Sequence, residues 1–190
     1  MTEYIQITDP VLQSRVKARY GAEIAILHEA GFRELAYKLE SLGPFSAVLR
    51  LPIVWLMHRA KEVLVFPFPW RIAAAYPLLV HSEPSSIADC MGIGIKFYSS
   101  FSDNSILISS TLESHAALQN SIRDPKFQIV RNPPRRNPED AWQSHKWRIG
   151  EMQAQGITLR NISSFADYVE ISRREELDLK ACMSLMDKTA

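Results

Sequence analysis

The chain has only two cysteines, Cys90 and Cys182. They fall in segments that read as different elements, without the dense, even spacing of a secreted disulfide scaffold, so reduced thiols are expected. Metal-ligand spacing is missing as well. The five histidines, at 28, 58, 81, 115 and 145, make no His-x3-His pair, and the cysteines make no Cys-x2-Cys; no metal and no other cofactor is expected. A phosphate-cradling loop is also lacking. "GIG" at 92–94 is followed by neither a further glycine nor a lysine, and it lies in a strand pattern rather than at a strand-to-helix turn. Its glycines fit a bulge or a close backbone approach.

Charge of one sign is absent too. Lys and Arg number 22 against 21 Asp and Glu, a net charge of +1, which gives no global pull toward nucleic acid or an acidic partner. "MTEYIQITDP" has neither the basic start nor the apolar run of a signal peptide, so a cytoplasmic location is expected, including a peripheral place on the cytoplasmic face of a membrane. No carboxylate pair stands out as a general acid/base couple. What is present is a 190-residue chain, 46% hydrophobic and 23% charged, a composition that folds and that suits one domain over residues 1–190.

The N-terminal region, 1–43, reads as helical. Asp9 is a candidate N-cap with Pro10 at the first helical position, and a helix over about 10–30 follows. Val16, Tyr20, Ile24 and Leu27 gather on one face, Gly31 interrupts, and Phe32, Leu35, Leu39 and Leu42 continue a helical stripe to the Gly43-Pro44 stop. Residues 62–130 read as an antiparallel meander of three or four strands. "EVLVF" and "RIAAAYPLLVH" are strand-length runs whose prolines restrict them to edges, ends or bulges. Ile93, Ile95 and Phe97 alternate with Gly94, Lys96 and Tyr98, and "SFSDNS" supplies the turn of a hairpin that resumes at Ile106 and Ile108.

A Pro- and Arg-rich connector, 131–137, leads to the C-terminal helices over 138–190. Asn137 caps the first, with Pro138, Glu139 and Asp140 in its opening turn, and the helix extends to about Gly156. Trp142, His145, Ile149 and Met152 share its buried face. Ser164 and Asp167 form an approximate capping box for the second, which packs Phe165, Tyr168, Val169 and Ile171 inward. The expected fold is α+β, with both C-terminal helices packed on one face of the sheet.

Three groups of residues carry candidate function. The first is the apolar and basic segment 44–61 with the rings that follow it: Phe45, Arg50, Trp55, His58, Arg59, Lys61, Phe66, Phe68, Trp70 and Arg71. A spanning helix needs about 20 apolar residues, and Pro52 breaks this run well before that. Rings beside cations suit the headgroup region of a membrane or a hydrophobic partner. The same run also fits a buried helix from which Arg50 snorkels. The second group is His81, Asp89 and Cys90, the nearest approach to a nucleophilic triad, although no family-specific sequence surrounds the cysteine. A buried cysteine acting as a small hydrophobe, beside a strand-end histidine, is the favoured account of them. The third is Arg131, Arg135, Arg136, Lys146 and Arg148, interleaved with Trp142 and Trp147, which suits an anion or single-stranded nucleic acid but also a solvated connector. The leading expectation is a non-catalytic accessory or scaffold protein that docks through 44–71 onto a membrane or protein partner. A small hydrolase or transferase using Cys90 and His81 is the alternative, and anion binding through 131–148 the third; nucleic acid is not the favoured partner.

Overall fold

The computed structural model describes residues 2–42, 63–68, 71–91, 94–111, 129–133, 135 and 137–186. The fold is α+β. Among the described residues are four helices and eight strands: β1 (Glu3–Gln6), α1 (Pro10–Arg19), α2 (Gly21–Glu29), β2 (Arg33–Leu42), β3 (Val63–Phe68), β4 (Arg71–His81), β5 (Ser86–Met91), β6 (Gly94–Ser100), β7 (Ile106–Ser110), β8 (Ile129–Arg131), α3 (Pro138–Ala154) and α4 (Phe165–Met186). The strands follow the order β1-β2-β4-β5-β6-β7-β8, and β3 pairs with β4 off that path. Two compact units share these elements: Met1–Leu79 with Asp89–Ile93, and Val80–Ala88 with Gly94–Ala190.

In the first unit Asp9 caps α1 as expected, its Oδ1 accepting from the Val11 N–H at 2.8 Å and the Leu12 N–H at 3.3 Å. Val16, Tyr20, Ile24 and Leu27 are all buried. The helix nevertheless divides at Tyr20, the cap between α1 and α2. It then ends for good at Gly31. With φ at 92°, Gly31 takes the left-handed position of a Schellman stop, in which the Gly31 N–H bonds His28 O at 3.0 Å and the Phe32 N–H bonds Leu27 O at 2.9 Å.

The expected second helical stripe is therefore a strand. β2 pairs antiparallel with β1, Tyr4 opposite Glu40 and Ile5 opposite Leu39. Its buried residues are Ala36, Tyr37 and Lys38, whereas Leu35 and Leu39 are half-buried. The three-and-four spacing of the leucines matched a helix by coincidence, and pairing with a strand far away in sequence decided the conformation. β3 and β4 pair antiparallel with an irregularity between Val65 and Phe68, so Pro67 sits at a bulge, as its missing N–H requires.

In the second unit β6 and β7 form the expected hairpin, Phe97 opposite Ser109 and Ser99 opposite Leu107. The turn is closed by Asp103, whose Oδ1 accepts from the Ser105 N–H and Oγ–H at 2.9 and 2.6 Å. β8 then joins β7 in parallel. α3 begins at the Asn137 cap, where Oδ1 accepts from the Glu139 N–H at 3.0 Å. It ends in a second Schellman stop at Gly156, φ 82°. The capping box of α4 is reciprocal: the Ser164 N–H donates to Asp167 Oδ2 at 2.9 Å and the Asp167 N–H to Ser164 Oγ at 3.2 Å.

Two expectations fail here. The sheet has eight strands rather than three or four, because β2 replaces a helix and the short β1, β5 and β8 carry no clear alternation. The C-terminal helices also do not share one face. Adjacent residues of a strand point to opposite sides; on β6, Phe97 packs tilted against Trp142 of α3 with ring centroids 5.4 Å apart, while Tyr98 meets Tyr168 of α4 edge-on at 6.2 Å. α3 and α4 cover opposite faces of β6, which is why Ile95 to Ser100 are buried without a break.

Double coverage buries charge as well. Lys96 Nζ donates to Glu175 Oε1 at 3.0 Å, and Tyr98 OH to Glu175 Oε2 at 2.8 Å. Removing one partner of such a pair strands the other in a medium that cannot solvate it, at a cost of about 3–5 kcal/mol. Glu175→Ala should lower the urea unfolding free energy by about that amount. The triple variant Lys96→Met/Tyr98→Phe/Glu175→Leu should recover most of the loss, because apolar groups of similar volume then replace all three polar partners.

Candidate functional site

The three candidate groups meet different fates. Phe45, Arg50, Trp55, His58, Arg59, Lys61 and Trp70 lie outside the described residues; Phe66 and Phe68 belong to β3, and Arg71 opens β4.

Asp89 and Cys90 are consecutive on β5, so their side chains leave the strand on opposite faces. Asp89 Oδ2 accepts from Lys38 Nζ at 2.7 Å, and Lys38 is only 1% exposed. The ammonium also lies 3.4 Å from Glu40 and over the rings of Tyr4 and Tyr76 at 5.6 and 5.1 Å. Burial works against its charge, but the Asp89 and Glu40 carboxylates outweigh that and hold Lys38 protonated above its ordinary range. Cys90 is fully buried. Burial, then the Asp89 and Glu23 carboxylates, push its thiol well above the usual range, with Lys38 opposing. A thiol raised in this way is a poor nucleophile at neutral pH. His81, at the end of β4, sits with its ring 5.1 Å from that of Trp142 and its Nδ1 3.3 Å from Pro84 O. Each member of the candidate triad is engaged with partners of its own.

The basic cluster is also divided. Arg131 is half-buried on β8 and pairs with Asp178 of α4. Arg148 pairs with Glu151 along α3 at 2.6 Å. Arg135 is exposed, and its N–H bonds Ser110 O at 3.1 Å; Arg136 lies outside the described residues. Lys146 differs, with its ammonium 5.6 Å over the Trp142 ring, beside a cleft.

Composition gave no sign of the polar chain through the interior of the second unit. His145, with no exposed surface, lies between two serines: Nδ1 is 2.8 Å from Ser109 Oγ and Nε2 is 3.0 Å from Ser99 Oγ. Asn132 Nδ2 donates to Ser109 Oγ at 3.0 Å, and Ser99 Oγ donates to Ser85 O at 3.2 Å. These bonds assign the protons. Ser109 accepts from Asn132 and gives its own proton to Nδ1, so the neutral imidazole carries its proton on Nε2 and donates to Ser99. Burial lowers the His145 pKa from 6.5 to about 3. The Ser–His contacts have the elements of a nucleophile and its base, but an inaccessible imidazole that stays neutral through the physiological range serves as a structural link.

The cleft lies in the same unit and has a volume of about 580 Å³. One wall is the Ser82–Ser85 turn, a second is the stripe Lys146, Ile149, Gly150 and Gln153 on α3, and a third is Leu159–Asn161. The third wall is held by backbone bonds, from the Arg160 N–H to Ser100 O at 2.8 Å and from the Ser102 N–H to Thr158 O at 2.9 Å. Ser85 joins it to the turn. Its Oγ accepts from the Ile162 N–H at 2.8 Å and faces two acceptors, Ile162 O at 3.2 Å and Asn161 Oδ1 at 3.3 Å. Among the described residues no group of three or more His, Cys, Asp or Glu could hold a metal ion, and no helix is long and apolar enough to cross a membrane. No protein-family model matches the chain, and neither a curated protein nor a solved structure matches it at a significant level.

Two measurements check these environments. In a Cys182→Ser background, Cys90 should resist a thiol reagent in the native state and react at once in denaturant; rapid native labelling would place it at an accessible site. The ring resonances of His145 should keep their neutral-form shifts down to pH 5. Because its folded pKa lies below the unfolded value, its contribution to stability is complete above about pH 6.5 and is lost as pH falls toward about 3. In that window the unfolded state binds one more proton, so His145 alone should remove about 1.4 kcal/mol per pH unit.

Proposed function

We propose that the protein is a non-catalytic accessory protein that docks onto a membrane surface or a hydrophobic protein partner through residues 44–71. What supports this reading is the concentration of rings and basic side chains in one segment: Phe45, Trp55, Phe66, Phe68 and Trp70 lie among Arg50, His58, Arg59, Lys61 and Arg71. The observation that carries it over the competing hydrolase or transferase is the state of β5. Its carboxylate is committed to Lys38 and its thiol is buried and held protonated. The interior uses its reactive groups to join elements together, which leaves binding as the activity the chain best supports.

Vesicle flotation and copurification test the proposal. The full chain should float with phosphatidylserine vesicles, or else retain a protein partner that a Trp55→Ser/Trp70→Ser variant loses. Near an anionic surface each Lys or Arg contributes about 1 kcal/mol, so in the membrane case Arg59→Gln/Lys61→Gln should weaken vesicle binding more than tenfold. A protein that stays monomeric, retains no partner and ignores anionic vesicles would refute it.

A further inference from the structure

We infer that the cleft between the Ser82–Ser85 turn, α3 and Leu159–Asn161 is a binding site for a small organic anion, with a carboxylate or phosphate head and an apolar body. Its size suits such a ligand, since small-molecule pockets run from about 300 to 1,000 Å³ and this one holds about 580 Å³. The charge of its lining has the right sign. Within the lining Lys146 and Arg160 stand against a single acid, Glu83, with Asp167 also in the field of Arg160 from outside it, and Gln153 and Asn161 add amides. The Asn161 Oδ1 faces the Ser85 hydroxyl, so the Nδ2 donor is what Asn161 has to offer a ligand.

The two cations come from separate elements, Lys146 from α3 and Arg160 from an extended segment fixed to Ser100 through the backbone. Both therefore sit on a rigid frame. The floor is apolar: Ile149 belongs to the buried cluster of Phe101, Leu107 and Met152, and Leu159 packs against that cluster. A head group at Lys146 and Arg160 with a body toward Ile149 and Leu159 would satisfy both halves of the lining.

Gly150 is the independent observation. It lies inside a 17-residue helix, where glycine costs about 1 kcal/mol relative to alanine. No neighbour demands it, because a Cβ built there meets no atom within 4 Å. The missing side chain keeps the α3 wall of the cleft low.

Amide NMR spectra of the full chain, titrated with phenyl phosphate, benzoate, inorganic phosphate and the neutral benzyl alcohol, test the inference. Phenyl phosphate or benzoate at millimolar concentration should shift residues 82–85, 146–153 and 159–162, and whichever binds tighter identifies the head group. Inorganic phosphate should bind more weakly for want of a body, and benzyl alcohol should leave these amides unmoved. Arg160→Gln and Lys146→Gln should each weaken binding about tenfold, as expected for loss of a charged hydrogen bond. Both side chains are at the surface or half-buried, so the variants should keep the native spectrum. Gly150→Leu, which fills the cleft from a favourable helix position, should abolish binding and leave thermal stability equal or higher. Absence of shifts with both aromatic anions, shifts scattered over the surface, an equal response to benzyl alcohol, or unchanged affinity in all three variants would each overturn the site.

Discussion

Glu175 ties α4 to β6 in the second unit. Its two carboxylate oxygens are taken by Lys96 and Tyr98, which lie two residues apart on one face of β6. A buried carboxylate is tolerable only when its lone pairs are filled, so the position of α4 on that face follows from the need to bring Glu175 to these two donors. Arg131 and Asp178 repeat the arrangement on β8 and one turn further along α4. The opposite face is then left for α3, whose Trp142 and His145 meet Phe97 and Ser99.

The first unit reaches the same solution independently. Lys38 is buried on β2 and satisfied by Asp89 on β5, with Glu40 and two tyrosine rings around it. Apolar replacements of similar volume would be about as stable as such a pair. What the pair adds is selectivity of register, because a one-residue slip of either strand would turn a charge to the wrong face.

Local signals are legible in the sequence. Asp9, Asn137 and the Ser164–Asp167 box cap the helices that they were expected to cap, and the Asp103 turn closes the expected hairpin. These depend on bonds within a few residues, which a sequence displays directly. The structure departs from those signals where distant partners decide. Phe32 to Leu42 carries a helix-like spacing but pairs as a strand with β1, and the alternation of β6 does not reveal that both of its faces are covered. Lysine is seldom buried, and only the pairing of Lys96 with a glutamate 79 residues away makes its burial tolerable. The triad-like grouping of His81, Asp89 and Cys90 failed for the same reason, since closeness along the chain said nothing of Lys38. Among the described members of the basic cluster Lys146 lines the cleft, and Arg160, its counterpart, lies outside any cluster that composition reveals.

α3 shows how one helix can carry two faces that a single periodicity conceals. Trp142, His145, Ile149 and Met152 form the stripe that the spacing reveals, and all four are buried. Lys146, Gly150 and Gln153 form a second stripe advanced by one residue, about 100° around the axis, and they face the cleft together with Ile149. Ile149 belongs to both. Its position beneath Phe101 and Leu107 anchors the helix to the hairpin, while its outer edge becomes the floor of the cleft. A large side chain at position 150 would stand over that edge and close it. The shape of the cleft therefore follows from the same residue that secures the core, with the glycine beside it as the permissive element.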